Sequence, residues 1–273
     1  MLGAIVGDIA GSRFEFDNIK TKDFTLLHAA CEFTDDTVMT VAVAKAILDC
    51  DDFAALPALT VKYMRDFGQR YPNRGYGGSF ARWLRCDDPK PYWSYGNGAA
   101  MRISPVGFLC DSEAEIKTYS HAVTAVTHDH PEGLKGAEAV ATAVFLARLG
   151  QSKEEIFECL SKDYYPELKS KELTYPYMLE HYHWGYGDGS VTCQSSVPQA
   201  LACFYLSTGF EDTVRTAVSI GGDSDTIAAM AGGIAEAYYG IPEEIAARAR
   251  TFLPQEFLDV LAAFYKKVKN IRA

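Results

Sequence analysis

The chain has 273 residues, of which 48% are hydrophobic, and its formal net charge at pH 7 is −10. The length allows one large domain or two small ones, and since no long linker interrupts the sequence we interpret residues 1–273 as a single domain. The acidic charge argues against a nucleic-acid partner, because proteins grip phosphate backbones through basic side chains. No run of about 18 apolar residues occurs, so no membrane-spanning helix is predicted.

The cysteines and the first residues indicate a compartment. The chain has seven cysteines, an odd number, and none forms a Cys-x-x-Cys pair. This pattern is typical of reduced thiols rather than of a disulfide or zinc framework, and it predicts a cytoplasmic protein. Residues 1–9 are apolar but lack a basic segment and include Asp8, so we do not expect a signal peptide.

Helical periodicity dominates the sequence and predicts an all-α fold. Glycines at positions 3, 7 and 11 leave one face of an N-terminal helix without side chains, and that face is expected to receive another helix. Two long functional loops are expected over residues 69–112 and 163–196. Further helices are predicted at residues 38–48, 54–67, 113–126, 133–149, 153–160, 197–206, 213–220, 226–239, 242–250 and 255–268.

Two similar acidic clusters precede predicted helices at opposite ends of the chain. Residues 34–37 read Thr-Asp-Asp-Thr, and residues 223–226 read Asp-Ser-Asp-Thr after a pair of glycines. Capping of each helix would explain one acceptor oxygen per helix start, but not a row of them. If the two helix starts meet, their carboxylate and hydroxyl oxygens form an anionic pocket suited to Mg²⁺ or Mn²⁺. Glu15 could add a further carboxylate or remain a solvated surface acid.

Glycine-rich segments at residues 74–79 and 94–102 provide a second type of signal. Backbone N–H groups in such segments can approach a phosphate closely, and Tyr76 or Tyr95 could stack on a base or ribose. Neither segment matches a Walker loop or a dinucleotide fingerprint, and each is equally compatible with a turn. His128 could hydrogen-bond a phosphate or ribose, and residues 181–186 form an aromatic loop that could border the pocket.

Taken together, these segments resemble the ADP-ribosylglycohydrolase family. The resemblance rests on Gly7-Asp8-x-x-Gly11-Ser12 with Glu15, on both acidic clusters, on residues 74–77 and 94–102, and on Thr127-His128. The motifs follow the family's order and extend to about residue 240. The resemblance implies an all-α domain with two divalent cations, Mg²⁺ or Mn²⁺, at the bottom of an ADP-ribose cleft.

The resemblance also implies roles for particular residues. Catalytic roles fall to Glu15, Asp36 and Asp225. The implied metal ligands are Thr34, Asp35, Asp36, Asp223, Asp225 and Thr226. The implied substrate-binding residues are Tyr76, Gly77, Ser94, Tyr95, Gly96, Asn97, Gly98 and His128. The charged residues that follow His128 differ from some relatives, which leaves the subfamily open.

The implied activity is removal of ADP-ribose from a modified protein side chain or small molecule by cleavage at ribose C1. Arginine is favoured as the modified residue by analogy with the family, and serine is an alternative. The released product would be ADP-ribose, and the protein is expected to be a monomer. Two other interpretations are a non-catalytic ADP-ribose-binding protein and a two-metal nucleotide phosphohydrolase.

Overall fold

The computed structural model describes residues 1–185 and 191–271. Within these ranges the chain forms α-helices and short 3-10 turns but no strand, which confirms the predicted all-α class. No described helix combines the length and the apolar character needed to cross a bilayer. The α-helices are α1 (Leu2–Gly11), α2 (Asp35–Leu48), α3 (Leu56–Arg70), α4 (Gly78–Arg85), α5 (Ser104–Leu109), α6 (Glu113–Thr124), α7 (Pro131–Arg148), α8 (Lys153–Asp163), α9 (Tyr175–His181), α10 (Cys193–Leu206), α11 (Phe210–Ser219), α12 (Ser224–Tyr239), α13 (Glu243–Arg250) and α14 (Gln255–Ile271).

Helices α1 and α12 form the centre of the fold. Every residue of α1 is buried, and α12 also packs against α7, α10 and α11. The two helices approach so closely that a Cβ added at Gly7 would lie 2.0 Å from the carbonyl oxygen of Ala228. A Cβ at Gly3 would lie 2.3 Å from the carbonyl oxygen of Gly232. The expectation that the glycine face of α1 receives another helix is therefore confirmed.

The starts of α2 and α12 are shaped by different local chemistry. Thr34 is the N-cap of α2, and its side-chain oxygen accepts a hydrogen bond from the Asp36 backbone N–H. Helix α12 instead follows Gly221 and Gly222, whose φ angles of 79° and 69° lie in the left-handed region that glycine adopts without strain. This turn brings Asp223 back to the end of α1.

The two predicted loops are wrong in part, because helices α4, α5 and α9 and the first residues of α10 lie inside residues 69–112 and 163–196. The three missed helices have only six to eight residues each. Such short helices show too few turns for a periodic pattern and depend on tertiary packing. Four 3-10 turns, at Phe53–Ala55, Asn97–Ala99, Pro166–Lys169 and Lys171–Leu173, complete the helical structure of the described ranges.

Candidate active site

The two acidic clusters meet at the end of α1. The Thr226 hydroxyl donates a hydrogen bond to Asp36 Oδ2 at 3.2 Å, across 190 residues of sequence. The N-termini of α2 and α12 therefore face the same point, and their partial positive charges favour the carboxylates there. The two helix starts therefore meet, which is the condition for the anionic pocket considered in the sequence.

Asp8 is a third source of carboxylate oxygen, and the sequence analysis gave it no role. It is completely buried in α1 and accepts hydrogen bonds from both the backbone N–H and the hydroxyl of Thr34 and of Thr37. Helix α1 thus supplies a buried anion to the start of α2. The available signal was that Asp8 is the one charged residue in the apolar segment 2–11.

The carboxylates form two overlapping groups. Oxygens of Asp8, Asp36 and Asp225 all lie within 4.8 Å of one another, and so do oxygens of Glu15, Asp223 and Asp225. Asp225 belongs to both groups. Asp35 belongs to neither, although its half-buried side chain borders the same cavity.

Burial raises the pKa of every carboxyl group in the two sets, and neighbouring carboxylates add to the effect for all of them except Asp8. Burial is the largest cause, followed for Glu15 by the charges of Asp225 and Asp8, and the pKa of Glu15 rises to about 8. Burial raises the pKa of Asp223 to about 6, although the Asn97 side chain donates a hydrogen bond to Asp223 Oδ2 at 2.6 Å. Among the described residues, no Lys or Arg side chain pairs with these acids. Their negative charge is therefore uncompensated by the protein.

The residues fit divalent cations by the chemistry of their donor atoms. Mg²⁺ and Mn²⁺ favour carboxylate, hydroxyl and water oxygens, which are the groups gathered here. Asp36 Oδ1 is buried and has no hydrogen-bond partner in the described structure. Since a buried carboxylate oxygen without a partner is costly, this atom fits the role of a cation ligand.

Glu15 follows the end of α1, and hydrogen bonds to its backbone carbonyl fix its position. Its carbonyl oxygen accepts hydrogen bonds from Asn18 Nδ2, at 3.1 Å, and from Trp184 Nε1. Asn18 also bonds to Gly222 in both directions, because Nδ2 donates to the Gly222 carbonyl and Oδ1 accepts from the Gly222 N–H. Asn18 therefore links the Glu15 segment to the turn before Asp223. Asn18 has no predicted role, whereas Trp184 belongs to the aromatic loop, residues 181–186, that was expected to border the pocket.

A cavity of about 290 Å³ opens above the carboxylates. The two glycine-rich segments contribute further lining residues, with Gly75, Gly77, Ser94, Gly96 and Gly98 among them. An antiparallel bridge between Gly96 and Thr192 holds the second segment against the start of α10. The cavity thus joins an anionic end to a glycine-rich wall, where the small residues let a ligand approach the backbone closely.

His128 lies in this wall between the glycines. Its ring is buried, and burial followed by the neighbouring charge of Arg102 lowers its pKa well below the ordinary value, so the ring is neutral. Its Nδ1 lies 3.4 Å from Arg102 Nη2 and 2.7 Å from the Thr127 hydroxyl. Because guanidinium only donates, Nδ1 is the acceptor and the ring proton belongs on Nε2. A Cβ added at Gly96 would lie 3.6 Å from Nε2, and one added at Gly98 would lie 3.4 Å from it. The Nε2–H group therefore lies next to these two glycines.

Three of the predicted site residues do not line the cavity. Thr34 directs its hydroxyl to Asp8 Oδ1 at 2.6 Å. The Tyr76 hydroxyl donates to the Tyr71 carbonyl, and Tyr95 is 44% exposed with its ring against His130. The lining includes the other predicted residues, namely Glu15, Asp35, Asp36, Gly77, Ser94, Gly96, Asn97, Gly98, His128, Asp223, Asp225 and Thr226.

Comparison with known proteins agrees with this geometry. A model of the ADP-ribosylglycohydrolase family matches residues 1–271. The chain belongs to the ADP-ribosylglycohydrolase family. It is therefore a glycohydrolase-type enzyme, and the resemblance inferred from its motifs is confirmed.

Individual relatives of this ADP-ribosylglycohydrolase family member match over most of its length. It is 28% identical to the ADP-ribosylhydrolase ARH3 of Homo sapiens, over 98% of this chain and 92% of that protein. It is 24% identical to the ADP-ribosylarginine hydrolase Tri1 of Pseudomonas putida strain GB-1, over 88% of this chain and 70% of that protein. A solved structure titled "ADP-ribosylglycohydrolase-related protein complex" has the same fold, with a TM-score of 0.68 and 23% identity over 98% of this chain and 97% of that one.

Proposed function

We propose that this enzyme cleaves the bond between ribose C1 of an ADP-ribosyl group and a modified side chain, and that it requires divalent cations. The observation that carries the proposal is that two clusters of three carboxylates each, which share Asp225, lie at the anionic end of the cavity. Bound cations would supply positive charge that orients ribose hydroxyls and acidifies a water molecule. Asp8, Asp36, Asp223 and Asp225, with Asp35, Thr34 and Thr226 close by, are the residues that would hold them.

Side chains and backbone groups of the protein are proposed to bind the substrate and to transfer the proton. The glycine-rich wall and the Nε2–H of His128 provide donors for the diphosphate and adenosine part of the substrate. Glu15 is the proposed group that takes or gives the proton at the scissile bond, because its raised pKa of about 8 lets it exchange protons near neutral pH. Asn97 orients Asp223 through its hydrogen bond to Oδ2.

The modified residue is the finer part of the proposal. Arginine remains the first candidate, supported by the family resemblance and by the name of Tri1, which states ADP-ribosylarginine. Serine is the second. The expected product is ADP-ribose and not inorganic phosphate. The protein is expected to act as a monomer in the cytoplasm.

The test is release of free ADP-ribose from matched ADP-ribosyl-arginine and ADP-ribosyl-serine peptides with Mg²⁺, with Mn²⁺ or with EDTA. We expect metal-dependent release from at least one peptide. We expect Asp225→Asn and Glu15→Gln to lower kcat at least ~10²-fold, a typical loss for an acid–base group, with metal binding measured by calorimetry alongside. Full turnover in both variants, or release of phosphate in place of ADP-ribose, would contradict the proposal.

A further inference from the structure

An aromatic pair, in which Phe16 is exposed and Trp184 is half-buried, lies beside the acidic end of the cavity. Phe16 is 82% exposed, the highest value among the large apolar side chains of the described residues. Its ring is stacked on that of Trp184, with 5.8 Å between centroids and 3° between planes. Phe16 follows Glu15 directly, and Trp184 donates its indole N–H to the Glu15 carbonyl. The pair is therefore fixed to a residue that lines the cavity.

The fold itself does not account for this pair. A phenylalanine with so much exposure contributes little to the core, and exposed aromatic side chains beside a cavity are typical of binding surfaces. Among the described residues, Trp93 is also strongly exposed, at 61%, and it precedes Ser94 of the second glycine-rich segment. The Phe16–Trp184 pair instead stands on the side of Glu15, where the group attached to ribose would leave.

One exposed carboxylate adjoins the pair. Asp17 is exposed next to Phe16, and among the described residues neither Glu15 nor Asp17 forms an ion pair. The nearby cations are occupied elsewhere, since Arg13 lies over the Phe14 ring at 5.1 Å and Lys20 donates to the carbonyls of Tyr182 and Ile220. An aromatic face beside the unpaired Asp17 carboxylate attracts cations.

We propose that Phe16, Asp17 and Trp184 form a carrier-binding surface for the polypeptide that bears ADP-ribose, and that this surface selects a Lys or Arg side chain next to the modified residue. The open face of the Phe16 ring would hold the basic side chain, and Asp17 would add electrostatic attraction. This inference rests on the proposed function, because it concerns the part of the substrate outside the cavity.

The experiment compares two ADP-ribosyl peptides that are identical except for basic or acidic residues flanking the modified one. We expect wild-type protein to favour the basic peptide in kcat/KM by about three- to tenfold, the range expected for an exposed cation–π contact aided by one acid. Phe16→Ala should lose most of this preference through KM, and Asp17→Asn should lose part of it. Phe53→Ala is the matched control, since Phe53 is a partly exposed aromatic residue packed on Tyr119 and absent from the cavity lining.

Equilibrium binding separates this inference from the proposed function. Fluorescence anisotropy of the same labelled peptides in EDTA measures their Kd without requiring turnover. If no peptide is hydrolysed, the proposed function fails, while a basic-over-acidic difference in Kd that Phe16→Ala removes still supports the surface. Equal Kd for both peptides in the wild type, or a preference that persists in Phe16→Ala, would overturn it. An equal loss for both peptides in Phe16→Ala would show apolar contact without selection of a basic side chain, which also contradicts the inference.

Discussion

Asp225 is the residue that the two carboxylate clusters of the site have in common. It is the first acidic residue of α12, it contributes to both carboxylate groups, and the Thr226 backbone N–H donates to its Oδ1 at 3.0 Å. A carboxylate that belongs to both clusters is the one whose loss would disturb a cation held by either cluster. Its position depends on the turn at Gly221 and Gly222, where a side chain would be strained and, at Gly222, would meet the Tyr182 ring at 2.3 Å.

Asn18 is expected to control the activity of Glu15 without contacting substrate. Its amide bonds to the carbonyls of Phe14, Glu15 and Gly222 at 2.6, 3.1 and 3.0 Å. Asn18→Ala removes these donors and frees the Glu15 segment to move relative to Asp223. We predict that kcat falls by about tenfold, equivalent to one lost hydrogen bond of about 1.4 kcal/mol, with KM nearly unchanged.

Steady-state kinetics of Asn18→Ala, with thermal unfolding measured in parallel, tests this role. Asn18→Asp keeps the acceptor for the Gly222 N–H but loses the donors, so it should behave like the alanine variant. Asn270→Ala, at an exposed position in α14, is the control and should match the wild type. A loss of stability in Asn18→Ala with unaltered kcat would show that the residue is structural only.

The sequence predicted the two acidic clusters of the site but not the residues that contact them from distant segments. The acidic clusters at residues 34–37 and 223–226 could be recognised because capping a helix N-terminus does not require several acidic residues. Asp8 was missed because a single acid in an apolar helix has no local pattern, and its role depends on contact with Thr34 and Thr37. Asn18 was missed for the same reason, since its partner Gly222 lies 204 residues away. The aromatic loop at residues 181–186 was predicted only to border the pocket, and the contact of Trp184 with Glu15 spans 169 residues. Tyr186, part of the predicted aromatic loop, lies outside the described residues.

At the scale of elements, the α1–α12 contact decides where the carboxylates lie. Asp8 and Asp225 can meet only because glycines allow the two backbones to approach. At Gly11, a Cβ would lie 2.4 Å from the Asp225 Cα. Long helices such as these could be predicted from periodicity, whereas α4, α5 and α9 could not, because their formation depends on packing against the rest of the chain.

Gly7→Ala is predicted to destabilise the protein and to weaken metal binding. The added methyl group would lie 2.0 Å from the Ala228 carbonyl oxygen, so the two helices must separate. We expect a loss of about 1–3 kcal/mol in unfolding free energy, the usual cost of overpacking, measured by chemical denaturation. Gly78→Ala serves as the control because Gly78 is exposed and no atom lies within 4 Å of the added Cβ. Equal stability of the two variants would mean that the α1–α12 approach is not a constraint.

At the scale of the whole molecule, the acidic charge and the carboxylate groups predict a dependence of stability on pH and on metal. Folding raises the pKa of these groups, with Asp223 near 6 and Glu15 near 8 against ordinary values of 3.8 and 4.5. A raised pKa means that the folded state binds more protons than the unfolded state. Stability from this source is therefore present at low pH and is lost as pH rises through the folded-state pKa values.

We therefore predict that the metal-free protein loses thermal stability between about pH 5 and pH 8, and that Mg²⁺ or Mn²⁺ restores it most strongly at the upper end. Protons and cations compete for the same oxygens, so the metal-induced rise in Tm should grow with pH. Calorimetric unfolding in EDTA and in metal, at several pH values in this window, measures both effects. Asp223→Asn removes one of the carboxylates, and it should flatten the pH dependence of the metal-free protein and reduce the response to metal. A metal-induced rise in Tm that is the same at pH 5.5 and pH 8 would contradict the assignment of these carboxylates as the cation site.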